Sequence, residues 1–340
     1  MSRTFEKLLM WGLMAVLISV VSSAIIHYVA FPPSRQEKAW QQEAKYHSAN
    51  DARFRSLFDE GTRAMKDARY TEALDDFQEA ERSTDRLGTD QYASLKSSRQ
   101  QIASLCESSG RDPEAQAAYK SLTASAMRWG QILRQASGCD PAIAEFEDAE
   151  KFSQHLTEGK ENALLEARNS LSYCLQDRHR YSESVQTIQR MIDDIRSSSD
   201  EYDPALATQY ANLAYANSLQ NDWDDTEQAL YSTSSVCDKI IDRFARDPST
   251  EAEQRVGSAV SEKSVALRWL IIAYKNQGKT DQALSAADDF FTYKLDAGGR
   301  WGVIRLSLQR EVAQLALQIA TEANRQDDIE LWKQRLAAAR

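Results

Sequence analysis

The chain reads as an all-α repeat of helical hairpins preceded by one apolar span, and three observations predict this. Residues 8–31 run without an Asp, Glu, Lys or Arg. The whole chain holds only 12 Gly and 6 Pro, too few for the turns of a many-stranded sheet. A signature of four mostly small or apolar residues, spaced by twelve, four and three, recurs along the remainder.

The span comes first. A helix needs about 20 apolar residues to cross a hydrocarbon core of about 30 Å, and LLMWGLMAVLISVVSSAIIHYVAF (residues 8–31) supplies them. Arg3, Lys7 and the small residues Ser22-Ser23-Ala24 also suit a cleaved signal peptide. Such a signal has an apolar region of about 7–15 residues, whereas this run continues to Phe31, so a retained anchor is expected. Pro32-Pro33 ends it. Residues 1–7 then form a short cytoplasmic tail and 32–51 a stalk or linker. Arg35, Lys38 and Lys45 balance the basic residues before the span, so charge does not fix orientation. A short basic tail tends to stay inside while a long domain translocates. The expectation is a single-pass bacterial inner-membrane protein, N-terminus in and residues 52–340 periplasmic. Ala15, Ser19 and Ser23 share one helix face, where small residues would let a second membrane helix approach.

Composition narrows the function classes. The formal charge is −10, and residues 1–31 carry a net +1, which leaves −11 for residues 32–340. An acidic domain is a poor nucleic-acid binder, and no polybasic stretch follows the span to read lipid headgroups. Cys106, Cys139, Cys174 and Cys237 form no C-x-x-C pair. They read either as buried small hydrophobes or, in an oxidising compartment, as up to two disulfides with three possible full pairings. The four histidines have no metal-ligand spacing. Gln277-Gly278-Lys279-Thr280 imitates a phosphate loop, but Ala273 stands where that motif needs its first glycine. No catalytic residue, cofactor, metal or small-molecule substrate is expected.

The helices follow in order. Apolar periodicity and turn residues predict them at 36–67, 71–86, 89–109, 113–136, 141–157, 160–178, 181–197, 204–220, 224–245, 251–277, 280–295, 303–322 and 326–339. The signature is best in Gly61, Ala73, Phe77 and Ala80. It recurs in Ala103, Ala115, Tyr119 and Leu122, and in Ser172, Ser184, Ile188 and Met191. It recurs again in Ala214, Thr226, Leu230 and Thr233, and in Ile271, Ala283, Ala287 and Phe290. Small residues mark where two helices cross, and the larger one fills the gap beside them. Gly110, Asn221 and Gly278 lie five residues before the second small residue, where a helix end needs αL geometry. The step from Ala115 to Ser184 is 69 residues, room for one extra helix, which Asp140 as N-cap and Pro141 would open. The last pair carries polar Asp327, Asp328, Glu330, Lys333 and Gln334, suited to a terminal cap.

This spacing resembles the tetratricopeptide repeat family, whose usual period is about 34 residues. The resemblance covers most of 52–295 in pieces, with residues 303–340 as a weaker pair. It implies a right-handed solenoid and a non-enzymatic scaffold that holds a peptide segment or subunit on a concave surface. The expected role is a membrane-anchored adaptor, in assembly or quality control of an envelope complex. The alternative is a structural subunit of a secretion-type membrane machine. The partners expected are protein, and lipid bilayer through the first helix. Candidate groove residues on first helices are Arg63, Lys66, Tyr92, Arg99, Arg168, Tyr210, Asn217, Trp269 and Lys275.

Overall fold

A computed structural model describes residues 35–83, 87–198, 202–247, 249–292 and 302–338. Among them there are thirteen helices and no strand: α1 (Arg35–Lys66), α2 (Tyr70–Arg82), α3 (Thr89–Ser108), α4 (Asp112–Ser137), α5 (Cys139–Ser153), α6 (Lys160–Asp177), α7 (Tyr181–Ser198), α8 (Pro204–Leu219), α9 (Trp223–Phe244), α10 (Thr250–Asn276), α11 (Thr280–Thr292), α12 (Gly302–Glu322) and α13 (Gln326–Ala338). The expected span at 8–31, with Ala15, Ser19 and Ser23, lies outside the described residues. Among the described residues no helix is long and apolar enough to cross a membrane.

The helices form two compact units, one ending at Ala118 and the other beginning at Tyr119, so the division falls within α4. In the first unit α1 packs on α2, α2 on α3, and α1 also touches α3. In the second, each helix from α5 to α13 packs on the next, and α8–α10 and α10–α12 also touch. Contacts between neighbours and next-but-one helices are those of stacked hairpins, each burying a face that it cannot bury alone.

Every position of the five signature copies is buried. Gly61 lets the Phe77 ring lie against α1: a Cβ built there falls 2.8 Å from Cε1 of Phe77 and 3.2 Å from the Ala73 carbonyl oxygen. Polar versions of the crossing satisfy themselves locally, as buried polar groups must. The Ser172 and Ser184 hydroxyls are 2.9 Å apart, and Gln176 donates to Ser184 at 3.0 Å. The Thr226 hydroxyl donates to the carbonyl of Asp222 at 2.6 Å.

The turns share one design. Residues 68, 110, 179, 221, 278 and 324 all have positive φ. At each, the next residue's N–H reaches back five residues to a helix carbonyl, as in Arg69 to Ala64, Arg111 to Cys106 and Lys279 to Tyr274. These are Schellman caps, which satisfy carbonyls orphaned at a helix end. The sequence shows the turn where Gly or Asn stands. Ala68 and His179 fill the same place without that chemical signal.

Most boundaries lie within one residue of expectation, and α2 and α5 depart further; α5 ends at Ser153, not at 157. Helix α2 ends at Arg82, not at 86. Helix α5 begins at Cys139, and its N-cap is Gly138, with φ +87, in place of Asp140. The Asp140 carboxylate instead accepts from Arg178 Nε at 2.6 Å.

Helix α5 is also more than an insertion. Gly130, Ala142, Phe146 and Ala149 form a sixth copy of the twelve-four-three signature, with the same four residue types as the first copy. A Cβ at Gly130 would fall 2.6 Å from Cε1 of Phe146. The second half of α4 is therefore the first helix of a new hairpin, completed by α5. The register extends to charge: Glu81 pairs with Arg99, and 69 residues on Glu150 pairs with Arg168, both at 2.8 Å.

Candidate functional site

The second unit carries an apolar groove between the second half of α4 and the start of α6, enclosing about 590 Å³. Lys120, Ala124, Met127 and Gln131 line it from α4. Their spacings of four, three and four residues place them on one helix face. Ala163 and Glu166 line it from α6, and Leu156, Glu158 and Gly159 from the connecting loop. Met127 and Leu156 are buried and form the floor. Farther along, Arg134 lies over the Tyr173 ring at 5.4 Å, so the two helices stay side by side. The loop is pinned to α4 by His155, whose ring stacks on Tyr119 with centroids 4.2 Å apart. Gly159 supplies the left-handed residue, φ +68, that turns the chain into α6.

The polar groups decide what this groove can do. Thr123 borders it, and its hydroxyl oxygen is buried with no hydrogen-bond partner among the described residues. A buried hydroxyl without a partner costs about 1–3 kcal/mol. Glu158, Glu166 and Lys120 border the groove and form no ion pair among the described residues.

A second hollow of about 260 Å³ lies among α9, α10 and α11, lined in part by Leu230, Tyr231, Leu267 and Leu270. Its polar edge is already engaged. The Tyr231 and Tyr274 hydroxyls bond each other, and Tyr274 donates to Glu227 at 3.2 Å. Glu227 also accepts from Lys279 at 2.9 Å. Burial, then the Tyr231 hydrogen bond, pushes the Tyr274 phenol well above its ordinary pKa.

The residues singled out from sequence are dispersed. Arg63 and Lys66 are exposed on α1. Trp269 is half-buried and meets Tyr215 edge-on at 5.9 Å, and Lys275 reaches Glu322 at 3.2 Å. Tyr92, Arg99, Arg168, Tyr210 and Asn217 are buried inside the packed helices, so they do not line an open groove. Arg99 is 0% exposed and donates to Glu81. Arg168 bonds Glu150 at 2.8 Å and Asp194 at 2.5 Å, and Glu150 also takes Arg190 at 2.7 Å. First helices turn one side to a groove and the other to the core, and charge alone does not tell which. The Glu-to-Arg spacing of 18 residues, present twice, was the available sign that these arginines are internal.

The groove residues Thr123, Met127, Leu156, Glu158 and Glu166 were not among the sequence candidates. Their signal in the sequence is the Gly130 copy, which makes α4 a first helix in its second half.

All four cysteines are buried free thiols. Burial pushes the Cys174 and Cys237 thiols up to about 12, with the neighbouring Cys139 adding to the shift at Cys174 and Glu262 at Cys237. No cluster of three or more His, Cys, Asp or Glu side chains able to hold a metal occurs among the described residues.

No protein-family model matches the sequence. No curated protein matches it either. Solved structures do show similarity. A putative kinesin light chain from Podosopora anserina with nearly identical TPR-like repeats is 14% identical, over 64% of this chain and 93% of its own, with a TM-score of 0.45. BtubC from P. vanneervenii is 13% identical, over 72% and 89%, with a TM-score of 0.45. PilW, a type IV pilus biogenesis factor, is 12% identical, over 71% and 94%, with a TM-score of 0.34.

Proposed function

We propose that this chain is a non-enzymatic helical-repeat scaffold that holds a segment of a partner protein in the α4–α6 groove. Residues 8–31 anchor it in a bilayer, with the repeat domain on the periplasmic side of a bacterial inner membrane. The partner is a component of an envelope complex under assembly or quality control. The observation that carries the binding role is the groove: an apolar floor of Met127 and Leu156, with Lys120, Glu158 and Glu166 at its rim forming no ion pair among the described residues. Such convergence of apolar area with a few placed polar groups is what a binding site requires. The anchor raises the local concentration of a membrane-bound partner.

A photo-crosslinking residue at Gln131, in the groove, tests the binding role in intact cells, with Lys151 on α5 as the control position. The expected result is one protein adduct at 131, absent at 151 and abolished by Ala124→Trp, which fills the groove. Equal adducts at both positions, or an adduct indifferent to Ala124→Trp, overturn the reading. Protease digestion of sealed inner-membrane vesicles tests the anchor and its orientation: the domain is expected to be protected in inside-out vesicles and cleaved in spheroplasts.

A further inference from the structure

Cysteines that are dispersed in the sequence are in part brought together by the fold. We infer that Cys139 and Cys174 are a redox pair that closes into a disulfide, stapling the start of α5 to the end of α6, while Cys106 and Cys237 stay thiols. Neither member of the pair lines the α4–α6 groove, so the staple can form whatever that groove binds.

Side-chain contact selects this pair. The Cys139 and Cys174 thiols hydrogen-bond each other, and both are buried. Cys106 is the only cysteine of the first unit. Cys237 lies in the apolar cluster around Ile188, Ile192 and Ile240, which holds no second cysteine. An ion pair fixes the same two helix ends. Asp140, next to Cys139, accepts from Arg178, one turn beyond Cys174, at 2.6 Å. Gly138, immediately before Cys139, has φ +87 and open space where a Cβ would stand. The backbone can therefore shift there and bring the two sulfurs to a bond of about 2.05 Å.

Closing the bond removes two electrons and two protons, so it needs an oxidant, here a small disulfide such as oxidised glutathione. One thiol of the pair gives up its proton and attacks a glutathione sulfur, and the glutathione S–S bond breaks. The departing glutathione thiolate takes up a proton. The second thiol likewise deprotonates, attacks the protein sulfur of the mixed disulfide and expels the other glutathione, which is protonated in turn. Two thiols and one oxidised glutathione thus become one protein disulfide and two reduced glutathiones.

The fold sets when this happens and what it does. The thiolate is the attacking form, and burial pushes the Cys174 thiol up to about 12. The bond therefore closes as the chain folds, or when α5 and α6 part locally, and only slowly in the closed fold. Once formed, it links positions 35 apart in the sequence and restricts the unfolded chain. It also joins the second helix of one hairpin to the first helix of the next, reinforcing an interface of the kind on which a repeat array depends.

The test unfolds the full-length protein in urea and detergent with a phosphine reductant, removes the reductant, and refolds with or without oxidised glutathione. Refolding with the oxidant should consume two of the four free thiols. Non-reducing peptide mapping should find Cys139 joined to Cys174, two hydrogen atoms lighter than the separate peptides. The oxidised protein should melt about 5 °C or more above the reduced one, and the difference should disappear on reduction. The shift should be lost in Cys139→Ala and in Cys174→Ala, and kept in Cys106→Ala with Cys237→Ala. Where a variant does not fold, peptide mapping of the unaltered chain decides alone. Four thiols after oxidative refolding, a glutathione adduct in place of a link, a link through Cys106 or Cys237, or a 139–174 link without a rise in melting temperature overturns the inference. None of these outcomes bears on the crosslink at residue 131, so the staple and the partner groove stand or fall separately.

Discussion

Gly61 and Phe77 fit each other without room for one methyl group. A Cβ at 61 would lie 2.8 Å and 2.9 Å from two carbons of the Phe77 ring, and the same gap at Gly130 is closed to 2.6 Å by Phe146. Gly→Ala within a helix normally gains about 1 kcal/mol. Here overpacking, at about 1–3 kcal/mol, opposes it. Gly61→Ala and Gly130→Ala are therefore expected to lower stability in urea denaturation, Gly130→Ala the more. Gly61→Ala together with Phe77→Leu should cost less than the sum of the two single changes. A stabilised Gly61→Ala protein would contradict the crossing described.

The two buried arginines differ in their backing. Arg99 is 0% exposed, and its Nε and Nη2 have no hydrogen-bond partner among the described residues. Arg168 holds both Glu150 and Asp194. Removing one partner of a buried pair costs about 3–5 kcal/mol, because the other charge is stranded. Glu81→Leu should reach that range, and adding Arg99→Met should recover most of it. Glu150→Leu should cost less, since Arg168 keeps Asp194. Chemical denaturation of these three variants checks the order.

Ala68 sits at φ +58, where a side chain costs about 1–2 kcal/mol. The equivalent turn residues Gly110 and Gly278 avoid that cost. Ala68→Gly is expected to raise the melting temperature by a degree or a few, corresponding to about 0.5–1 kcal/mol net of the added freedom of the unfolded chain. A lower melting temperature would argue against the Schellman turn at this position.

The buried thiols make stability depend on pH in the alkaline range. The Cys174 and Cys237 thiols stand at about 12 in the fold, against an ordinary value of 9.0. Above pH 9 the unfolded chain releases these protons and the folded chain does not. The unfolded state then binds fewer protons, so stability falls as pH rises from 9 towards 12. Below pH 9 these groups contribute no slope. Cys174→Ala with Cys237→Ala should flatten the alkaline limb of a stability–pH curve, and native thiols should react slowly with a thiol reagent until the protein is unfolded.

Much of the fold was legible in the residues. The crossing signature and the helix-ending Gly110, Asn221 and Gly278 report on contacts within one hairpin, which are local and chemically marked. The turns at Ala68 and His179 carried no marker, yet their spacing from Ala73 and Ser184 placed them. The Gly130 copy carries the same local marker, and it makes α5 the second helix of a hairpin whose first helix lines the groove.

The sequence by itself determined that this chain folds as paired helices, because small and large residues at fixed intervals can bury one another only in hairpins. It also determined where most helices begin and end, through residues that suit a turn. Only the tertiary structure decided which face of each first helix is interior. Arg99, Arg168 and Tyr210 have the polarity of surface residues, but carboxylates from neighbouring helices meet the two arginines and the Arg196 guanidinium lies over the Tyr210 ring. The carboxylates lie 18 or more residues from their arginines, so their trace is a repeated Glu-to-Arg spacing and not a property of the arginine itself, and the hollow between α4 and α6 is marked only by the Gly130 copy of the crossing signature.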